Sequence, residues 1–266
     1  MGLNIDKVRS RLTSLQTQTT KQDYLWKPPT GKSQIRIVPY KFNKDNPFIE
    51  LLFHYNIAGK TYLSPASFGR PDPFMEFAEK LRASGNKDDY KMSKLLEPKL
   101  RTFAPIVVRG EEDKGVKFWG FGKTVYQELL SIIADPDYGD ITDPANGRDV
   151  VVEFKSAEET GKSFPNTTIR VKPNKSMLVE TKEAFQKILD TQKDIIEIYK
   201  EFTYEDLQAV LKTWLTGDKD KKNGEAASEE DAPEPTVAKT EDKTPAPATA
   251  ANLDEVSKKF DELFNN

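Results

Sequence analysis

The chain has 266 residues, no cysteine, one histidine and a net charge of -3 at pH 7. This length holds one domain of moderate size with extensions, and the lack of cysteine excludes a disulfide framework and a thiolate metal site. No apolar run approaches the roughly 20 residues of a membrane span, and residues 1–16 lack the apolar stretch of a secretory signal. We therefore expect a cytoplasmic protein with no membrane partner.

The charge is unevenly distributed along the chain. Residues 218–266 carry 13 acidic and 7 basic residues, which leaves 30 acidic and 33 basic residues in 1–217. Residues 1–217 therefore have a net charge of +3 and the tail, residues 218–266, a net charge of -6. This arrangement is common in nucleic-acid-binding proteins, although a solvated acidic linker explains it equally well.

Residues 1–21 have the pattern of a basic N-terminal arm. Val8, Leu12 and Leu15 have helical spacing and stand among basic residues, followed by a polar run. The pattern favours a flexible arm that docks on another molecule. An amphipathic helix that packs on its own domain remains the alternative.

The body, residues 22–217, shows short β-branched strands with few helices between them. Its elements are predicted, in chain order, as strands at 33–40, 48–57 and 61–63, a helix at 74–81, a hairpin at 103–108 and 116–121, a helix at 124–134, and strands at 149–154 and 168–172. This pattern favours a small Greek-key barrel over a doubly wound sheet, because helices do not regularly separate the strands. After residue 182 the pattern becomes helical.

The tail, residues 218–266, divides into two parts. Residues 218–251 are rich in Ala, Pro, Glu, Lys and Thr, so we expect them to be disordered. The last residues form a short acidic amphipathic pattern that is typical of a partner-binding helix. Its apolar positions are Leu253, Val256, Phe260, Leu263 and Phe264. A helix that docks back on its own body is the open alternative.

The stretch from 99 to 126 mixes cations with aromatic residues. Its cations are Lys99, Arg101, Arg109, Lys114, Lys117 and Lys123, and its rings are Phe103, Phe118, Trp119 and Phe121. A groove for single-stranded nucleic acid uses both, because cations neutralise phosphates and unpaired bases stack on rings.

Strand alternation supports this interpretation at two positions. It places Arg36 opposite the apolar face of its strand, and Trp119 opposite Phe118 with Lys117 beside it. An exposed arginine on a sheet, or a tryptophan in a second core, would give the same pattern. Together these residues favour a binding cleft.

Catalysis is not expected. The segments Gly31-Lys32-Ser33 and Gly122-Lys123-Thr124 end like a nucleotide-binding P-loop. The leading glycine of that motif would fall at Trp26 and Lys117, so neither loop can form. The single histidine, His54, lies in an apolar strand and is expected to be a satisfied core residue. We therefore predict a binding protein without cofactor or metal.

The order of these features resembles the single-stranded-DNA-binding proteins of T4-type bacteriophages, as a divergent member. The resemblance covers nearly the whole chain and ends in the acidic tail. It rests on Arg9-Ser10-Arg11-Leu12-Thr13-Ser14, Ile35-Arg36-Ile37-Val38-Pro39, His54 with Gly59-Lys60 and Tyr62, Ala104 with Ile106-Val107-Val108, and Phe118-Trp119-Gly120-Phe121-Gly122-Lys123.

The resemblance implies an α+β fold, with an OB-fold-like five-stranded β-barrel core, an inserted subdomain and C-terminal helices. It implies cooperative, largely sequence-independent binding and protection of single-stranded DNA during phage replication, recombination and repair. The DNA-contacting residues by position are Arg36, Tyr90, Lys99, Arg101, Phe103, Lys117, Trp119, Lys123 and Phe164. Self-association along DNA is implied for Arg9, Ser10, Arg11, Thr13 and Ser14. The acidic tail is expected to recruit replication and recombination proteins and to compete with DNA for the cleft. The protein is expected in the cytoplasm of the infected host cell.

One departure from that family concerns its structural zinc, which one histidine and three cysteines hold in the best-known members. His54 occupies the histidine position, and the cysteine positions fall near Ala66, Asp72 and Met75. Zinc needs several good ligands, so we expect none here. An apolar cluster is expected in its place, formed by Phe68, Phe74, Met75 and Phe77.

Two other functions remain open at this stage. The β body could be the platform of a non-catalytic scaffold protein in which the tail helix is the working part. The same fold could also serve an RNA-binding regulator, since the 2′-hydroxyl can discriminate between the two nucleic acids.

Overall fold

The computed structural model describes residues 24–216 and 250–264, which contain eight strands and eight α-helices. The strands are β1 (Leu25–Trp26), β2 (Gly31–Ile37), β3 (Ile49–Ile57), β4 (Lys60–Leu63), β5 (Lys99–Val108), β6 (Lys117–Phe121), β7 (Arg148–Lys155) and β8 (Asn166–Lys175). The helices are α1 (Pro73–Ala83), α2 (Lys87–Leu96), α3 (Lys123–Ala134), α4 (Ala157–Thr160), α5 (Lys182–Asp190), α6 (Ile195–Ile198), α7 (Tyr204–Thr216) and α8 (Ala250–Phe264).

The chain divides into two compact units. Of the described residues, the first contains 24–49 and 102–200, and the second contains 50–101, 201–216 and 250–264. Strands and helices occur in both, which confirms the α+β class.

The first unit is built on an open sheet with the strand order β1-β6-β5-β2-β7-β8. The short β1 pairs parallel to β6, and the other neighbours are antiparallel. The described strands therefore follow a path with two ends, and the closed five-stranded barrel stays a prediction.

One face of this sheet carries the first core. In the pairing of β5 with β6, Ala104 lies opposite Trp119 and Thr102 lies opposite Phe121. The side chains of these four residues therefore point to the same face of the sheet. Helix α3 covers this face with Val125 and Leu129, one turn apart. The first core consists of Trp26, Ile35, Ile37, Phe48, Ala104, Ile106, Trp119, Phe121, Val125, Leu129, Ile141, Val150, Val152, Ile169 and Val171.

The opposite face of the same strands is also covered. Val38 and Val107 pack there against Leu178 and Ile188, which follow β8 in the chain. Farther along, Phe103 contacts Tyr199 with ring centroids 5.7 Å apart. Residues 178–199 thus form a second layer over the sheet, and β5 and β6 are buried on both faces.

The second unit combines the β3–β4 hairpin with helices. Helix α1 begins at Pro73, and the Asp72 carboxylate caps it by accepting from the backbone N–H of Phe74 at 2.9 Å. A single core joins the helices to the hairpin. It consists of Ile57, Tyr62, Phe74, Phe77, Ala78, Leu81, Leu96, Leu207, Leu211, Leu215, Val256 and Phe260.

The last described helix, α8, packs within this second unit. Phe260 lies 5.8 Å from Phe77 between ring centroids, and Val256 is equally buried. Lys259 forms an ion pair with Asp89 of α2 at the side of this contact. For Val256 and Phe260 the structure therefore shows the second possibility left open by the sequence, in which the helix docks on the chain's own body.

None of the helices within the described residues is long and apolar enough to cross a membrane.

Candidate nucleic-acid interface

Three of the residues predicted to contact DNA lie inside the first unit, contrary to the prediction that they face a cleft. Phe103 is 3% exposed, Trp119 is 1% exposed, and Arg36 is fully buried. Trp119 packs edge-on to Trp26 in the first core, with ring centroids 5.9 Å apart. The physical reason is that both faces are covered here: the first core encloses Trp119, whereas Arg36 and Phe103 lie on the opposite face under the second layer. A continuous apolar run such as 103–108 is the sequence signal of such a strand.

Arg36 is held by a buried ion-pair network on the second face of the sheet. Its Nε donates to Asp149 Oδ1 at 2.9 Å, and its Nη1 donates to the carbonyl oxygen of Asp143 at 3.1 Å. Its Nη2 donates to the carbonyl oxygen of Ser176 at 2.8 Å. A Cβ at Gly147 would lie 2.3 Å from the carbonyl oxygen of Asp143 and 2.8 Å from Arg36 Nη1, so glycine is needed where the backbone passes the guanidinium. Arg36 is therefore a structural residue.

Arg109 completes the network from the end of β5. Its Nε donates to Asp149 Oδ2 at 3.0 Å, and its Nη1 donates to the carbonyl oxygen of Leu178 at 2.9 Å. Gln34 Nε2 donates to the same carboxylate at 2.6 Å. Burial alone would raise the pKa of Asp149, but the hydrogen bond from Arg109 and the charge of Arg36 outweigh it and hold that pKa below its ordinary value.

The other predicted contacts remain accessible. In the first unit, Lys123 is exposed, and Lys117 and Phe164 are half-buried. In the second unit, Lys99 is exposed, Arg101 is half-buried, and Tyr90 is 48% exposed. Of the four rings predicted to contact DNA, Tyr90 and Phe164 are thus the ones that keep solvent contact.

Lysines accompany both of these rings. Lys94 Nζ lies 5.5 Å from the centroid of the Tyr90 ring, and Lys162 Nζ lies 5.9 Å from that of Phe164. Each pair offers a stacking surface beside a positive charge, which is the combination that single strands need. Sequence reasoning missed the lysines: Lys94 stands one helical turn after Tyr90, but helix α2 was not predicted.

The residues for self-association, Arg9, Ser10, Arg11, Thr13 and Ser14, lie outside the described residues, as does the acidic segment 217–249. Of the partner-binding residues, Leu263 is 37% exposed, Phe264 is half-buried, and the side chain of Leu253 is outside the described part. Val256 and Phe260 are buried, so α8 would have to leave its place to present its whole apolar face.

His54 forms a buried hydrogen-bond network in the second unit. Its Nε2 lies 2.9 Å from Asp72 Oδ2, and its Nδ1 lies 2.7 Å from the carbonyl oxygen of Leu96. The hydroxyl of Ser64 donates to the same oxygen of Asp72. The network joins β3, the residue after β4, the start of α1 and the end of α2, and we call it the His54 clasp.

The His54 clasp does not suit the zinc that the phage family implies. Protein oxygens engage both ring nitrogens of His54, and the described residues contain no group of three or more His, Cys, Asp or Glu side chains able to hold a metal. Asp72, near one of the family's cysteine positions, instead binds the histidine. Of the expected apolar cluster, Phe74 and Phe77 lie in the core of this unit, whereas Phe68 is half-buried and Met75 is 40% exposed. That the protein lacks zinc stays a prediction.

The sequence matches a model of a known protein family. Residues 29–215 match the family model described as gp32 DNA binding protein like. The chain belongs to this family. Among curated proteins, none matches the chain. Membership supports the resemblance to the phage proteins at the level of the family, and it supports single-stranded DNA binding.

We predict that Asp149→Asn destabilises the first unit strongly. Removing one charge leaves the buried Arg36 guanidinium without its counter-ion, which lowers the free energy of unfolding by about 3–5 kcal/mol. Urea unfolding followed by the emission of Trp26 and Trp119, both in the first core, measures the change.

The matched control for this variant is Glu153→Gln on the same strand. Its side chain is 33% exposed and pairs with Lys32 at 3.8 Å, so we expect a loss under about 1 kcal/mol. Equal unfolding midpoints for the two variants would contradict a structural role for Asp149.

We predict that Asp72→Asn destabilises the second unit in a pH-dependent way. Burial raises the pKa of Asp72, but its hydrogen bond and attraction to His54 lower it more, so it lies below its ordinary value. A carboxylate of this kind stabilises the fold above its unfolded pKa of about 3.9 and loses that effect as the pH falls. The variant should lose about 1–3 kcal/mol at pH 7, and its difference from wild type should shrink toward about pH 2, as the pH falls through the lowered pKa of Asp72.

Chemical unfolding at both pH values tests this, with the exposed Glu79→Gln on the same helix as control. Zinc or a chelator should leave the melting temperature unchanged. Stoichiometric zinc in the purified protein, or a constant difference between Asp72→Asn and wild type at all pH values, would contradict the clasp.

Proposed function

We propose that this protein binds single-stranded DNA cooperatively and largely without sequence preference, and protects it during phage replication, recombination and repair. The observation that carries the proposal is the family match over residues 29–215. The proposal includes an OB-type DNA-binding platform, the absence of catalysis, and a location in the cytoplasm of an infected cell.

The physical mechanism is phosphate neutralisation combined with base stacking. We propose that Lys99, Arg101, Lys117 and Lys123 neutralise phosphates, which releases counterions and makes affinity fall with salt. Tyr90 and Phe164, accessible and accompanied by lysines, replace the buried Phe103 and Trp119 as the stacking rings. Each stacked base contributes roughly 1–3 kcal/mol.

The two ends of the chain are proposed to act on other proteins. The arm would contact the neighbouring subunit along DNA through its basic and hydroxyl residues. The acidic tail would recruit replication and recombination proteins and occupy the DNA-binding surface when DNA is absent. Because α8 packs in the second unit, we propose that recruitment through its apolar face requires its release.

We predict that a labelled oligo(dT) binds with an affinity that falls steeply between about 50 and 200 mM salt, with a log–log slope of about -0.7 for each phosphate contact. Fluorescence anisotropy is the appropriate readout. The emission of Trp26 and Trp119 should change little, because they are 8% and 1% exposed, so any change in tryptophan emission would come from the half-buried Trp214.

The same titration separates the alternatives. No binding at low salt would discard the proposal and favour a scaffold protein, whereas tighter binding of oligo(U) than oligo(dT) would favour an RNA-binding regulator. On long strands, a chain without residues 1–21 should lose cooperativity and keep its affinity for a single short site. Equal loss of both would place the arm in the binding surface.

We predict that neutralising the acidic tail raises DNA affinity, most strongly at low salt. Deleting residues 218–266 is a poor test, because it also removes Val256 and Phe260 from the core of the second unit. The better variant replaces the nine carboxylates between 218 and 249 by amides. A control variant replaces the five lysines of that segment by glutamine and should shift affinity in the opposite direction. Unchanged affinity in both variants at every salt concentration would contradict competition by the tail.

A further inference from the structure

An exposed aromatic residue stands at the tip of a tight turn in the first unit. The backbone N–H of Asn43 donates to the carbonyl oxygen of Tyr40 at 3.3 Å, which closes a turn with Lys41 and Phe42 at its centre. The Phe42 side chain is 51% exposed. Turn centres favour Gly, Pro, Asn, Asp and Ser, so folding gains little from a phenylalanine in this place.

Hydrogen bonds to residues that precede helix α6 hold this turn in place. Gln192, which is 4% exposed, accepts from the backbone N–H of Lys41 at 2.9 Å and donates to the carbonyl oxygen of Pro39 at 2.8 Å. The Tyr40 hydroxyl donates to Asp194 Oδ1 at 2.9 Å. A turn anchored at three points holds its exposed residues in place before any ligand arrives, which reduces the entropy lost on binding.

A ladder of rings connects Phe42 to the interior. The buried Phe118 contacts Tyr40 edge-on with ring centroids 6.0 Å apart, and Tyr40 contacts Phe42 at 5.4 Å. The ring of Phe42 is therefore supported on one side and open on the other, as a platform for stacking requires.

Lysines stand in and after the turn and next to the residues that anchor it. Lys41 Nζ lies 6.0 Å from the Phe42 ring, and Lys44 follows two residues later; both lysines are exposed. Lys193 stands between Gln192 and Asp194 in the chain, and its Nζ lies 4.6 Å above the ring of Tyr24. The nearest partner of Lys41 is Asp190 at 4.0 Å, an exposed pair that holds its lysine weakly.

We propose that the Tyr40–Asn43 turn is a further contact site for single-stranded nucleic acid, in which Phe42 stacks on a base and Lys41 and Lys193 neutralise the adjoining phosphates. This inference rests on the proposed function and adds a site that the family resemblance did not indicate. A protein partner fits the turn less well, because lysines are depleted from the centres of protein interfaces and the apolar area is a single ring.

The test compares Phe42→Ala with wild type in binding of a short labelled oligo(dT) at low salt. Loss of a stacked base should weaken binding by roughly 5- to 100-fold, and Phe42→Tyr should restore most of the affinity. In the double variant Lys41→Gln/Lys193→Gln, the slope of log affinity against log salt concentration should become shallower by about 0.7 for each lost phosphate contact. Leu130→Ala on α3, where the leucine is 41% exposed without such a turn, is the matched control.

The outcomes separate this inference from the function on which it rests. If wild type binds oligo(dT) and Phe42→Ala binds equally well, the stacking site is overturned and the proposed function stands. If Leu130→Ala weakens binding as much as Phe42→Ala, the effect is unspecific and the site is again overturned. If wild type does not bind at low salt, the proposed function itself fails. Thermal melting of each variant verifies that the fold is intact.

Discussion

The buried pair of Arg36 and Asp149 is the constraint on which the first unit depends. A guanidinium without solvent must find acceptors for its donors, and these come from β7, the Asp143 loop and Ser176. Satisfying them brings the chain after β8 across the second face of the sheet. Leu178 and Ile188 then cover Val38 and Val107 on this face, while the first core encloses Trp119 and Phe121 on the other face. The accessible residues that we propose to contact DNA therefore lie in turns, helices and strand ends.

Local patterns predicted most elements of this fold. Helix α3 was predicted at 124–134 and lies at Lys123–Ala134, and β7 was predicted at 149–154 and lies at Arg148–Lys155. In both elements the apolar residues recur with a clear period within one segment, and such a period can be read from the local sequence alone. Helix α2 was missed because it is rich in charged and polar residues and buries only a narrow face. Its existence depends on packing against α1.

The candidate site was predicted less well, for a physical reason. Alternation shows that Arg36 and Trp119 point away from particular neighbours, but it does not reveal what lies above either face. That depends on residues 178–199, whose path is not visible in the sequence of β2 or β6. Pairs such as Lys193 with Tyr24 join residues far apart in the chain and leave no local signal. Arg36 also shows that a cation in a strand is weak evidence for a nucleic-acid interface. A carboxylate on a neighbouring strand, such as Asp149, can pair with the cation inside the protein.

The position of α8 has a consequence for the segment that leads to it. Helices α7 and α8 share one core, so the described chain is held in the same unit both before and after residues 217–249. The entropy of closing a flexible loop grows only with the logarithm of its length, so doubling it adds only about 0.6 kcal/mol. Insertions in this stretch should therefore leave α8 docked. An affinity tag or a fluorophore inserted between residues 217 and 249 should likewise leave helices α7 and α8 in place.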